Sequence, residues 1–374
     1  MKFIKLSLVA ALAVSTAFAG GDIAPVEPVV EAPAAVACNS NTTINGKAVA
    51  YYGTWAGPSN DMFDDDVSYF ATAITLDVSH KISENFTANF AAVGYANLMN
   101  NYMESSETGA FINVANITAT FSDTTLVAGR QLLDTPMLGG FDWLLAPGSF
   151  EAYTLVNKSI SNLTLVGSYV AKWRQNNSGD NFIDLTDNGD HWTIGAAYSN
   201  AFDASIWYYN VDASGYTQVY ADAGAELSGV KLAAQFVSTN YDVGDDSTAF
   251  GLKVAGSIAG FDLMAAYNRV NDEVAGYIGR DSLYTSSWNN FASDEVGNSY
   301  KFEVAKEFGN LSATASYAYY DNTMYDHEGH ELDLILGYKV TDCISADLIY
   351  TNTDAVVTSG DKYDTLEFIA TYKF

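Results

Sequence analysis

The fold is decided by stretches such as Glu331-Leu332-Asp333-Leu334-Ile335-Leu336-Gly337-Tyr338-Lys339-Val340. Every even-numbered residue in this stretch is apolar or aromatic, whereas the odd-numbered ones include Glu331, Asp333 and Lys339. Successive side chains of a β-strand point to opposite faces, so the pattern predicts a strand with lipid against one face and water against the other. A half-buried sheet of a soluble protein produces the same alternation, and this stretch alone leaves both interpretations open.

The connections between such strands alternate between short and long, which favours a membrane barrel. Tight turns that lead into an alternating strand recur at 84–88, 161–165, 200–204, 228–232, 259–263, 308–312 and 341–345, and less clearly at 122–126. Longer polar stretches separate them at 56–67, 99–109, 175–190, 271–297 and 322–329. Transmembrane barrels have short periplasmic turns and long extracellular loops, so the chain is predicted to be all-β.

We therefore predict a transmembrane antiparallel β-barrel of about eighteen strands, with about sixteen as the alternative. The third extracellular loop, after the strand that ends near Gln131, is unlike the others because it is apolar and holds Pro136, Trp143 and Pro147. Such a loop is expected to fold into the barrel rather than extend into water. The even strand count places both termini on the periplasmic side.

The N-terminus indicates export. Lys2 and Lys5 precede a short apolar run at 6–14, and an Ala-Phe-Ala cleavage pattern follows at 17–19. Residues 1–19 are therefore predicted to be a signal peptide, whose removal takes the formal net charge from −28 to −30. Residues 20–37 read as a Pro/Ala-rich periplasmic linker, and residues 38–374 as the barrel.

Composition and motifs exclude several classes of function. The chain has 17 Lys and Arg against 45 Asp and Glu, which argues against nucleic-acid binding. No nucleophile, phosphate-loop or dinucleotide motif occurs in its required context, so we predict no enzymatic activity and no cofactor. His327 and His330 lack the spacing of a zinc motif, and no specific metal site is predicted.

Three extracellular loops are strongly acidic. The simpler interpretation is a solvated charged surface, and the alternative is weak calcium binding or bridging to lipopolysaccharide through divalent ions. The acidic residues are Asp61, Asp64, Asp65 and Asp66 in one loop, Asp180, Asp184, Asp187 and Asp190 in the second, and Asp242, Asp245 and Asp246 in the third.

Two stretches carry a family resemblance. Residues 366–374 alternate and end on Phe374, which resembles the C-terminal strand that the barrel assembly machinery of bacterial outer membranes reads. Gly129-Arg130-Gln131 followed by Asp134-Thr135-Pro136 is similar to the corresponding stretch of Gram-negative porins. With the signal peptide and the strand count, the chain most resembles OprD-like porins and the major outer-membrane proteins of Campylobacter-type bacteria.

The resemblance implies a trimeric outer-membrane channel for passive diffusion of small solutes, embedded among lipid and lipopolysaccharide. It also implies that Arg130 faces the lumen at the constriction, with the carboxylates of Asp134, Asp142 and Glu151 opposite it. The alternative for Arg130 is a salt bridge at the barrel rim. A substrate-specific channel, and a plugged structural or adhesive surface barrel, are the alternative functions.

The ion preference is predicted from charge. Only four arginines occur, whereas OprD-like channels for carboxylates carry a run of them, so an anion ladder is not expected here. The strongly negative mature chain and the predicted lumen carboxylates of Glu303, Glu331 and Asp333 favour cations instead.

Cys38 and Cys343 are the only cysteines of the sequence. A chain that crosses the oxidising periplasm tends to pair its thiols, and both residues are predicted at the periplasmic rim near the closing seam. A disulfide between them is one possibility, and two unrelated thiols are the other.

Overall fold

A computed structural model describes residues 41–103, 106–140, 145–187, 189–289, 293–324, 326–354 and 362–374. Across these residues, no helix has the length and the apolar run that a membrane-spanning helix needs. The predicted signal peptide and linker lie outside the described residues, as do Cys38 and Asp142.

The described residues form long antiparallel strands and one two-residue strand, β8. The strand bounds are β1 Thr42–Ala56, β2 Ser68–Lys81, β3 Phe86–Met99, β4 Thr108–Phe121, β5 Thr124–Gln131, β6 Ser149–Asn157, β7 Leu163–Arg174, β8 Ile183–Asp184, β9 His191–Ser199, β10 Asp203–Val211, β11 Tyr216–Leu227, β12 Val230–Tyr241, β13 Ser247–Ile258, β14 Phe261–Asn271, β15 Gly297–Phe308, β16 Leu311–Asn322, β17 His327–Lys339, β18 Ile344–Asp354 and β19 Lys362–Lys373. One short 3-10 helix, Asp212–Ser214, connects β10 to β11.

The sheet closes on itself as an eighteen-stranded barrel. Each long strand pairs with the next along the chain, and β7 pairs with β9 while β8 pairs only with the extracellular end of β7. The ring closes between β1 and β19, from Lys47 opposite Lys373 to Ala56 opposite Asp364. The predicted fold class and strand number are thus confirmed. The start of β1 and the end of β19 both lie at the rim that carries the short turns.

Side-chain burial follows the predicted alternation. On β17, Leu334 and Leu336 are 43% and 44% exposed, whereas Glu331 and Asp333 are 0% and 1% exposed. The exposed apolar residues form the outer, lipid-facing surface, and the buried polar ones point into the barrel. The same alternation puts Glu303, Glu331 and Asp333 on the inward faces of β15 and β17, and their effect on permeating ions stays a prediction.

Short turns join the strands at the periplasmic rim. Ser228 and Gly229, between β11 and β12, both have positive φ, of 53° and 82°. Two left-handed residues in a two-residue connection match the twist of a β-hairpin, which explains the small or polar residue followed by glycine in the sequence pattern.

Two extracellular loops fold inward and pack against the inner wall of the barrel. We name their described residues L3, which covers 132–140 and 145–148, and L7, which covers 272–289 and 293–296. Met137, Leu138 and Leu145 of L3 are almost fully buried, as is Leu283 of L7. They pack against aromatic and aliphatic residues of the inner wall in two apolar clusters. The prediction that the third extracellular loop folds into the barrel is confirmed.

Candidate channel constriction

L3 crosses the barrel and is held on the far side by L7 and β10. The backbone N–H of Ile278 donates to the Met137 carbonyl at 2.9 Å, and that of Gly139 donates to the Ile278 carbonyl at 3.1 Å. The Tyr209 hydroxyl on β10 donates to Thr135 Oγ1 at 3.2 Å and accepts from the Met137 N–H at 3.2 Å. These bonds satisfy backbone groups that would otherwise be unpaired in the barrel interior.

An ion pair joins the two loops. Arg280 of L7 places a guanidinium nitrogen 2.8 Å from a carboxylate oxygen of Asp134 in L3, with both side chains about one-quarter exposed. Asp134 was expected opposite Arg130, and the structure instead pairs it with an arginine of the other inward loop.

Arg130 lies on the outer face of the wall, so the expectation that it faces the lumen is wrong. By alternation it shares a face with Leu126, which is 44% exposed, while its neighbour Glu151 shares a face with Tyr153, which is 62% exposed. Arg130 and Glu151 stand opposite each other on β5 and β6, and their N–O distance is 2.9 Å.

The outer charges near Arg130 continue toward β7 and the loop after it. Lys172 of β7 approaches the other carboxylate oxygen of Glu151 at 3.7 Å, and Asp180 lies 3.5 Å from Arg130. The Phe182 ring packs against the Arg130 guanidinium, with 4.0 Å from Cζ to the ring centroid. Glu151 therefore lies beside Arg130 and not across the pore, which matches the rim salt bridge. Asp142 lies outside the described residues.

The tip of L7 is bound to three carboxylates of the inner wall. The Asn289 N–H donates to Glu331 at 2.8 Å, and the Trp288 N–H donates to Asp333 at 3.3 Å. The Trp288 indole N–H donates to Glu367 of β19 at 2.7 Å. These three contacts, which we call the L7 latch, pin the loop against β17 and β19.

The wall also carries its own partners for these carboxylates. Tyr51 of β1 donates its hydroxyl to Glu367 at 2.8 Å, and Ser316 of β16 donates to Asp333 at 2.7 Å. Buried carboxylates need such donors because their desolvation is costly. The latch is therefore part of a connected network that links four strands to L7.

Cations occupy the neighbouring strands of the same inner wall. Lys301 on β15 lies 3.5 Å from Glu303 and donates to the Ser286 carbonyl of L7 at 2.8 Å. Lys253 on β13 places its ammonium 4.2 Å from the centroid of the Tyr284 ring. Strand register puts Lys253, Lys301 and Glu331 at one level of the wall. The two lysines therefore lie beside the carboxylates of the inner wall, and Lys301 is paired with one of them.

Some of these residues were missed from sequence. Glu367 lies on the polar face of the C-terminal strand, and Lys253 and Lys301 share the inward parity of their strands, so alternation alone identifies them as lumen residues. Trp288 has no such signal because it lies in a long loop.

L7 also holds a carboxyl group with a shifted pKa. Burial and the negative charges of Asp281 and Glu295 raise the pKa of the Asp294 carboxyl to about 7.

The remaining predictions concern metals and thiols. Within the described ranges, no group of three or more His, Cys, Asp or Glu side chains is arranged to hold a metal ion. For the acidic loops, a solvated charged surface stays the prediction and weak calcium binding stays the alternative. Cys343 lies in the turn between β17 and β18, where its carbonyl accepts from the Lys373 N–H at 2.8 Å. Because Cys38 is outside the described residues, the disulfide stays a prediction that thiol labelling of the unreduced protein can decide.

Comparisons with known proteins complete the description. A family described as outer membrane porin, OprD family, matches residues 91–296. No curated protein sequence matches the chain. Solved structures that share its fold at low identity include the following three. OpdK of Pseudomonas aeruginosa, solved with vanillate, has a TM-score of 0.78 at 15% identity and covers 89% of this chain and 98% of its own. OccD3 (OpdP) of the same organism gives 0.74 at 16% identity, covering 89% and 91%. Acinetobacter baumannii OccAB4 gives 0.75 at 14% identity, covering 89% and 98%.

Proposed function

Because this chain belongs to the OprD family of outer-membrane porins, we propose that its channel is a narrow, water-filled path for small hydrophilic solutes that favours cations. The family and the barrel establish a channel of the outer membrane, and the preference for cations is proposed in addition.

The observation that carries the preference is the acidic arc of the inner wall on β15–β19. Its members, Glu303, Glu331, Asp333, Asp347 and Glu367, share the inward faces of their strands. Lys301 forms an ion pair with Glu303, but the other four carboxylates of the arc outnumber the nearby lysines of the inner wall. Charges inside a low-dielectric wall act on ions along the whole path, because the field is not screened as it is in bulk water.

The inward position of L3 and L7 supports a narrowed diffusion channel over an adhesive barrel. Both loops present polar backbone and ionised side chains, such as Asp134 and Arg280, to each other across the interior. A solute that passes them loses part of its hydration and meets a charged, anchored constriction. That arrangement selects by size and charge.

A reversal potential in a planar bilayer under a KCl gradient tests the preference. We expect potassium selectivity that falls in the Glu303→Gln/Asp347→Asn double variant, which leaves the L7 latch intact. Asp123→Asn, in the exposed turn between β4 and β5, is the matched control and should leave selectivity unchanged. Chloride selectivity of the wild-type channel would refute the proposal.

A substrate-specific channel is the second candidate. It is supported by the narrowing loops and by Lys253 and Lys301, which are nearly buried on the inner wall beside L7. OpdK, which has a similar fold, was solved with vanillate, an aromatic carboxylate, so vanillate is a suitable probe. Saturable block of the ion current by vanillate, lost in Lys253→Gln, would favour this candidate; linear behaviour would exclude it for this solute.

The outer face is also proposed to support assembly. The chain is expected to form a homotrimer through flat apolar faces, with lipopolysaccharide around its extracellular half and recognition of Phe374 by the barrel assembly machinery. Phe374 closes the seam by exchanging backbone hydrogen bonds with Gly46 at 2.8 and 3.0 Å. Crosslinking of detergent-extracted protein that gave monomers alone would contradict the trimer.

A further inference from the structure

An apolar groove runs across the outer face of the barrel in its periplasmic half. Its floor includes the small residues Gly256 on β13, Ala265 on β14 and Ala315 on β16, and its sides include Leu263 on β14 and Phe302 on β15. The Phe302 ring is 57% exposed, as expected of a lipid-facing side chain. The groove reaches down to the Ser228–Gly229 turn, which places its lower end at the periplasmic rim.

A single lysine stands at that lower end. Lys306 follows Val304, a groove residue, by two positions on β15, so both share the outer face and their Cα atoms are roughly 7 Å apart. Its ammonium lies 3.7 Å from the centroid of the Phe261 ring and 5.4 Å from that of Phe308. Within the described part of the chain, no carboxylate forms an ion pair with it.

The apolar groove and the Lys306 ammonium together complement a ligand that has an apolar part and an anionic part. A long side chain at the end of a lipid-facing strand carries its ammonium to the level of the lipid headgroups, where it meets phosphate. The neighbouring outward residues Phe261, Leu263 and Phe308 are apolar, so the charge has no protein counter-ion on this face. The groove has a volume of about 860 Å³, within the range of pockets that enclose small-molecule ligands.

We propose that this groove binds one phospholipid of the periplasmic leaflet, with an acyl chain over Gly256, Ala265 and Ala315 and the phosphate on Lys306. The periplasmic position decides between lipid sources, because lipopolysaccharide fills the opposite leaflet of the outer membrane. The site is on the outside of the wall and is independent of the ion preference of the channel.

Native mass spectrometry of the detergent-solubilised full barrel tests the site, with palmitoyl-oleoyl phosphatidylglycerol as the probe. We expect one lipid bound per chain and a loss of about fivefold in affinity for Lys306→Gln, the effect of one basic residue at an anionic lipid surface. Ala265→Phe fills the floor beside Phe302, which stands opposite it in the strand register, and should abolish the bound lipid.

Lys339→Gln is the matched control, because Lys339 lies at the same rim but pairs with Asp342 at 2.6 Å. Diacylglycerol with the same chains should bind more weakly than the phospholipid, and the soluble glycerophosphoglycerol headgroup should not compete. The proposal is overturned if wild-type protein retains no lipid, if Lys306→Gln and Lys339→Gln behave alike, or if Ala265→Phe instead converts an oligomer into monomers. Heat-modifiable mobility and unchanged conductance verify that each variant is a folded barrel.

Discussion

The L7 latch makes a quantitative prediction about gating. Replacing Trp288 with Phe keeps an aromatic ring against the apolar cluster of the wall but removes the indole N–H that donates to Glu367 at 2.7 Å. A hydrogen bond to a charged acceptor contributes about 1.5–3 kcal/mol. Its loss should raise the population of channels with a released L7 by roughly tenfold to a hundredfold. The two backbone contacts to Glu331 and Asp333 remain, so release stays transient.

Single-channel recording in planar bilayers is the assay. We expect Trp288→Phe to show more frequent excursions to a larger conductance, since a released L7 widens the path. Glu367→Leu should act in the same direction, whereas Glu367→Gln keeps an acceptor oxygen and should act less. Trp192→Phe, on the outer aromatic surface beside Tyr208, is the matched control. Identical conductance histograms for the wild type, Trp288→Phe and Glu367→Leu would refute the latch.

Three further predictions concern closure, pH and the outer rim. A Cβ at Gly46 would clash with the Phe374 ring and lie 2.6 Å from the backbone carbonyl oxygen of Thr75, whereas one at Gly94 meets nothing within 4 Å. Gly46→Leu should therefore impair assembly in a heat-modifiability assay, and Gly94→Leu should not. Equal assembly of the two variants would contradict this reading of the seam. The Asp294 carboxyl has a pKa of about 7 in the folded loop against 3.8 ordinarily, so the packing of L7 should lose stability as pH rises from about 4 to 7. Large-conductance excursions should be more frequent at pH 8 than at pH 5, and a pH difference that survives Asp294→Asn would show that another group is responsible. Arg130→Ala should leave conductance and ion selectivity at wild-type values, because the side chain is outside the lumen and its ion pair with Glu151, about one-quarter exposed, contributes about 1 kcal/mol or less; a wider or more cation-selective pore would return Arg130 to the constriction.

The barrel wall was predictable because its information is local. A period of two within each strand and a short turn after every second strand are enough to place the strands, and the alternating stretch 331–340 differs from the observed β17, His327–Lys339, by only a few residues. Apart from the closing pair of β1 and β19, no distant contact has to be known, since successive long strands pair with each other.

The position of Arg130 follows from the same alternation of side chains. Leu126, Ala128 and Arg130 share one parity on β5, so alternation itself places the arginine on the outer face. The resemblance to porin constrictions implies a lumen position for Arg130, which is the opposite of what the alternation indicates. Parity is the better guide wherever a strand runs without a bulge, and the register of β5 against both neighbours is regular.

The constriction was not predictable in detail because its contacts join distant parts of the chain. Trp288 and Glu367 meet across 79 residues, and Asp134 finds Arg280 only after two loops have folded into the barrel. Composition showed that L3 is apolar, but nothing in the local pattern of L7 indicated that it would share the interior.

The seam between β1 and β19 has a consequence for how the molecule forms. Lys47 pairs with Lys373, so the closing ladder joins the two ends of almost the whole barrel sequence and is the most non-local contact in the wall. Until the last strand arrives, every partial barrel exposes two unpaired edges, which are templates for pairing with other chains. High contact order also makes this step slow. Completion is therefore nearly all-or-none, and a chain that lacks its final strand should be lost to aggregation or proteolysis rather than persist as a smaller pore.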